Sequence, residues 1–139
     1  MFKLTTPKGT INNEDKTKAS ALVTTIGTLY VNNLTTGALE AAAAASTQTL
    51  KFWLANETIA AADARLAVNA ALVSPEDELV VDSVNNSNSA HNGQRMILNA
   101  TGDKVNNTGT DVSGATGVFT QTGVVGAAAD KKIKVRLTI

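Results

Sequence analysis

In Lys131-Lys132-Ile133-Lys134-Val135-Arg136-Leu137-Thr138-Ile139, the apolar residues Ile133, Val135, Leu137 and Ile139 alternate with Lys132, Lys134, Arg136 and Thr138. That period of two belongs to a strand with one dry face and one wet face. Fully buried, each of the apolar side chains contributes roughly 1.5–3 kcal/mol, more than a frayed tail would secure. The segment is therefore expected to be an integral sheet strand with a cationic outer face.

Working back along the chain, other strand patterns are shorter. Glu78-Leu79-Val80-Val81-Asp82-Ser83-Val84 is expected to be a strand, and the run over 48–55 alternates, with Leu50, Phe52 and Leu54 opposite Lys51 and Trp53. Residues 20–31 are rich in Thr, Val and Ile, but both faces carry apolar groups and Gly27 suggests a bend. Residues 94–98, 118–120 and 124–125 are further short strands, with Val105 and Val112 as single anchors in a polar stretch. Two stretches are ambiguous. Over 38–46 a run of alanines favours helix, against a strand followed by a loop because a short alanine helix has little area with which to dock. Over 56–73 a helix capped by Asn56 competes with a strand at 65–72, in which Leu66, Val68, Ala70 and Leu72 alternate with Arg65, Ala67, Asn69 and Ala71. The strand is preferred in both.

Many short strands separated by turn residues predict an all-β fold, a small barrel or sandwich of antiparallel strands with long polar loops such as 85–93. Its 139 residues suit one domain. We expect that domain to span 19–139, preceded by an extended N-terminal arm over 1–18, where Pro7, Gly9 and Asn12-Asn13 interrupt a charged, turn-prone stretch.

Charged residues make up 17% of the chain and the formal net charge is zero, so no overall field draws it to nucleic acid or an anionic membrane. Cysteine is absent and His91 is the single histidine, which removes thiolate chemistry and the usual zinc sets. The N-terminus shows no signal-peptide pattern and no segment approaches a membrane span, so the expectation is a protein made and folded in the cytosol, without a membrane partner.

Candidate chemistry is thin. His91-Asn92-Gly93-Gln94-Arg95 gathers an imidazole, amides and a guanidinium, but no nucleophile or carboxylate is placed beside His91, and a hydrogen-bonded loop entering a strand accounts for it. Glu76, Asp77, Glu78 and Asp82 match no calcium-loop spacing. Gly114-Ala115-Thr116-Gly117 lacks the lysine and the strand–helix setting of a phosphate loop. No enzyme, no cofactor and no metal is expected. The cations Lys131, Lys132, Lys134 and Arg136 are read first as the charges that keep a strand edge from aggregating. The competing possibilities are that they contact phosphate or an acidic protein surface, or that they lie beside the acidic 76–82 strand, in cross-strand pairs worth roughly 0.2–1 kcal/mol each.

The order of the pieces carries a resemblance. Gly27-Thr28-Leu29-Tyr30-Val31, a turn, Gly37-Ala38-Leu39-Glu40-Ala41-Ala42 and Leu50-Lys51-Phe52-Trp53-Leu54-Ala55-Asn56-Glu57 resemble the repeated hairpin layout of head decoration (cement) proteins of tailed bacteriophages. Val73-Ser74-Pro75-Glu76-Asp77-Glu78-Leu79-Val80-Val81-Asp82, the run from Thr101 to Asp111 and the closing basic strand are similar to the same group. The resemblance implies a β-barrel on the outside of an assembled capsid, bridging coat subunits, often with a terminal arm laid over the shell. Its partner would be the major capsid protein, with other copies of itself a second contact, no direct contact with nucleic acid, and the virion exterior as its place. Lys3, Lys8, Lys16, Lys18, Lys132, Lys134 and Arg136 are the candidate capsid contacts. The competing expectation is a carbohydrate- or cell-surface-binding β module that uses the Asn-rich loop and Trp53.

Overall fold

The computed structural model describes residues 1–6, 13–18, 22–33, 35–42, 51–60, 62–108 and 117–138. They form eleven strands: β1 (Phe2–Thr6), β2 (Asn13–Thr17), β3 (Leu29–Asn32), β4 (Leu39–Ala41), β5 (Phe52–Ala55), β6 (Ala67–Leu72), β7 (Glu78–Asp82), β8 (Arg95–Leu98), β9 (Val105–Asn106), β10 (Phe119–Val125) and β11 (Lys132–Leu137). Single 3₁₀ turns at Ser89–His91 and Ala128–Asp130 are the helical elements among them. The fold is all-β, as expected.

Two antiparallel sheets carry it, one in the order β1-β7-β11-β10-β8-β9 and the other in the order β2-β6-β5-β3-β4. The five-stranded sheet curls into a half-barrel, and a parallel bridge between Lys18, just past β2, and Leu39 of β4 draws its two ends together. In the six-stranded sheet a parallel bridge joins Ser83, after β7, to Val105 of β9.

Packing explains which strands could be read locally. Between the sheets lies one core, where Leu29, Val31, Phe52 and Leu54 meet Leu79, Val81, Met96, Phe119, Ile133 and Val135. On the other face of the five-stranded sheet, Tyr30, Leu39, Trp53, Ala55, Ile59, Val68 and Ala70 form a second core. Strands β3, β5 and β6 thus alternate between two dry sides instead of one dry and one wet. At the turn after β8, Gly102 takes φ +73°, and a Cβ there would stand 2.5 Å from the Ala42 carbonyl oxygen. Only glycine lets this turn press close enough for Leu29 N–H to donate to the Gly102 carbonyl at 3.2 Å.

Several expectations are corrected. The first 18 residues are not an arm where they are described. Residues 2–6 are the edge strand β1, paired with β7, and residues 13–17 are β2, paired with β6 along its length from Asn13↔Ala71 to Thr17↔Ala67. Backbone pairing, not apolar content, holds β2, whose side chains are almost all exposed. Residues 7–12 lie outside the described residues. The strand preferred over 65–72 is, by contrast, present as β6, because pairing with β2 and β5 satisfies its backbone and buries Val68 and Ala70. Residues 39–41 are a strand, while 43–50, with the rest of the alanine run and the start of the 48–55 strand, lie outside the described residues. Of the strand expected over 20–31, the part from Leu29 on is β3, preceded by a turn at Ile26 and Gly27, and residues 20 and 21 lie outside the described residues. The two short strands around Gly123 are one strand, β10, with a register shift between Gln121 and Gly123. Val105 belongs to a strand, and Val112 and Ile139 lie outside the described residues.

Candidate functional site

Strand β11 sits between β7 and β10, not at a sheet edge. Its alternation sends Ile133 and Val135 inward, both 0% exposed, and Lys132, Lys134 and Arg136 outward. The antiparallel register with β7 sets Lys132 opposite Asp82 and Lys134 opposite Val80. Lys132 Nζ lies 2.7 Å from Asp82, Lys134 Nζ 3.6 Å from Glu78 and Arg136 3.9 Å from the same carboxylate. The edge-protecting role first assigned to these cations therefore does not apply, because an interior strand has no free edge to guard. The cross-strand pairing with the acidic strand is what the geometry contains.

Glu78 also accepts a hydrogen bond from Thr122 Oγ1 at 3.1 Å, and Asp82 takes the Met1 ammonium at 3.0 Å. The hydrogen bond from Lys132, ahead of the contribution from the Met1 ammonium, holds the Asp82 carboxyl below the usual carboxylate range. A carboxyl with a depressed folded-state pKa adds stability that is present above its unfolded pKa and lost as pH falls through the folded value. Asp82→Asn is thus expected to melt below wild type at pH 7, with the gap closing as the pH drops below about 4. Melting curves across that range check it, and a gap that widens on acidification would contradict it. The difference is small, since exposed pairs contribute about 0–1 kcal/mol.

Two further cations join this face. Lys3 of β1 pairs across to Val80, so Lys3, Val80 and Lys134 stand in one row over three strands. Arg95 of β8 lies opposite Thr120 of β10, which lies opposite Arg136. Arg95, weighed in the sequence only beside His91, was not among the candidate capsid contacts, although the Asn92-Gly93 turn followed by alternation in β8 puts it outward.

The remaining candidates lie elsewhere. Lys18 is 3% exposed, enclosed where the five-stranded sheet closes on itself, and Lys16 Nζ sits 4.5 Å over the Trp53 ring. Lys8 lies outside the described residues. Trp53 is itself 4% exposed, its ring N–H donating to Asn32 Oδ1 at 2.7 Å, so it does not present the contact surface that the glycan-binding expectation gave it. Burial raises the Tyr30 pKa, and its hydroxyl accepts from Thr25 N–H at 2.9 Å. Tyr30, Phe2, Phe52 and Phe119 are all buried as well.

The Asn-rich loop is fastened from below. Buried Asn107 accepts from Asn85 N–H and donates to the carbonyls of Asn85 and Asn86, and buried Gln121 donates to the Asn88 carbonyl and to Asn92 Oδ1. His91 stands in this loop with Nδ1 unpartnered. Among the described residues no three His, Asp or Glu side chains converge as metal ligands, and no helix is long and apolar enough to cross a membrane. A separate, mainly apolar groove of about 620 Å³ opens between Met1, Lys3 and Ile26 on one side and Leu54, Ala71 and Asn69 on the other. No protein-family model, curated protein or solved structure matches the chain.

Proposed function

We propose that the chain is a virion structural protein that binds the outside of an assembled phage capsid and stabilises contacts between coat subunits. Its partner in this reading is the major capsid protein, and its place is the virion exterior. The observation that carries it is the order of hairpin-forming segments from residue 27 onward, in a chain whose described residues form two antiparallel sheets, one curled into a half-barrel. An outer face that gathers cations from β1, β8 and β11 gives such a protein a means of contact. Many symmetric copies would convert a modest single-site affinity into stable coverage. The carbohydrate-binding alternative loses its aromatic platform, since all five aromatic side chains are buried.

The test is sedimentation of the purified protein with expanded, undecorated capsids. Saturable, stoichiometric co-sedimentation is expected. Its absence, together with retention on a glycan array, would overturn the assignment.

A further inference from the structure

The net charge of the chain is zero, yet charge is not spread evenly over the molecule. On the outer face of the six-stranded sheet stand five cations, Lys3, Arg95, Lys132, Lys134 and Arg136, and two carboxylates, Glu78 and Asp82. Depth adds to that imbalance. The Glu78 side chain is 16% exposed and that of Asp82 32%, whereas Lys132, Lys134 and Arg136 keep 49%, 45% and 43% of their side-chain surface. The acids form the floor and the cations the outer layer, so an approaching molecule meets positive charge first. Strands about 4.8 Å apart spread that layer over about 19 Å from β1 to β8.

Donor capacity on the face is not exhausted. Arg136 reaches Glu78 only at 3.9 Å and keeps 43% of its side-chain surface open. A guanidinium in this state suits a further carboxylate held in two-point contact. Each lysine ammonium has three donors, and a single carboxylate uses one or two of them.

The geometry points to this outer face as the docking surface for an acid-rich protein surface, with Lys3, Lys134 and Arg136 at its centre. The inference rests on the capsid reading for the identity of the partner, a carboxylate-bearing patch of the coat shell. The chemistry of that partner comes from the charge layout alone. Nucleic acid fits less well. Glu78 and Asp82 would repel a continuous line of phosphates, no aromatic side chain is exposed to stack on a base, and the uncharged whole supplies no long-range attraction.

The test compares Lys3→Gln/Lys134→Gln with Lys16→Gln/Lys51→Gln, which removes the same charge from lysines in or beside the five-stranded sheet. Immobilised poly-L-glutamate, a duplex DNA oligonucleotide and undecorated capsids are the three probes, and thermal melting confirms that each variant folds. The single variant Lys3→Gln repeats the comparison without touching an ion pair. Expected is salt-sensitive retention on poly-L-glutamate, weakened about tenfold by the face variant and little by the control. No retention, or equal weakening by both variants, overturns the inference. Tighter binding of DNA through the same lysines overturns it too, by replacing the acidic protein with nucleic acid. Capsid binding that survives Lys3→Gln/Lys134→Gln removes this face from the contact while leaving the capsid reading intact. Retention on poly-L-glutamate with no capsid binding by wild type does the reverse.

Discussion

Val135→Asp is expected to yield no folded protein. Val135 is 0% exposed, lies opposite Leu79 on one side and Gln121 on the other, and belongs to a strand with neighbours on both edges. An aspartate there cannot turn to water without breaking the β11 ladder. Kept inside, it has no cation to meet, because Lys134 and Arg136 point to the opposite face. The site must hold a desolvated carboxylate, or protonate it and still leave its oxygens short of partners. Either costs several kcal/mol, added to the lost valine burial of about 1.5–3 kcal/mol, against a total stability of about 5–15 kcal/mol for a domain of this kind. Circular dichroism and the soluble fraction on expression measure it. Lys134→Gln, one residue away and outward, should melt within a few degrees of wild type. A soluble Val135→Asp with native-like melting would show that β11 does not close the core.

The contrast between these neighbouring positions also says why some of the fold was legible and some was not. In β11 each apolar residue faces the core and each polar one faces out, and in β7 only Val80 departs from that order, so a period of two survives in the sequence. In β3 and β5 it does not survive. Leu29 and Val31 face the inter-sheet core while Tyr30 faces the second one, and Phe52 and Leu54 alternate in the same way with Trp53 and Ala55. A strand buried on both faces reads as a plain apolar run, and Trp53 looked like a surface residue because Lys51 shares its parity. For β2 the difficulty is the reverse. Asn13-Glu14-Asp15-Lys16-Thr17 has no apolar side chain, and what makes it a strand is the ladder that β6 offers more than fifty residues later. The candidate site divides along the same line. Lys132, Lys134 and Arg136 follow from local alternation, whereas Arg95 joins them only through the pairing of β8 with β10, and Lys18 is buried only because its sheet curls back to Leu39.

Phe119→Ala is expected to cost about 3–5 kcal/mol, the usual range for truncating a buried phenylalanine. Phe119 is 0% exposed, and its ring centroid lies 5.3 Å from that of Phe2 and 5.8 Å from that of Phe52, at interplanar angles of 36° and 50°. Phe2 belongs to β1, at the far side of the same sheet, and Phe52 to the centre of the other sheet. One side chain thus ties the outermost strand of one sheet to the middle of the second. Removing it leaves a void between layers that neither sheet can collapse to fill, since each is fixed by its own ladder. Urea denaturation measures the loss, and a value below about 1 kcal/mol would mean that the sheets do not share this core. The double-mutant cycle of Phe52→Ala with Phe119→Ala carries the sharper test. Tilted aromatic pairs contribute about 0.5–1.5 kcal/mol beyond their area, so the two losses should fall short of adding. If the sheets unfold as one unit, each variant keeps a single transition with an unchanged dependence on urea. Two separated transitions in Phe119→Ala would instead mean that each sheet holds together by itself, with the half-barrel stabilised by its second core around Trp53.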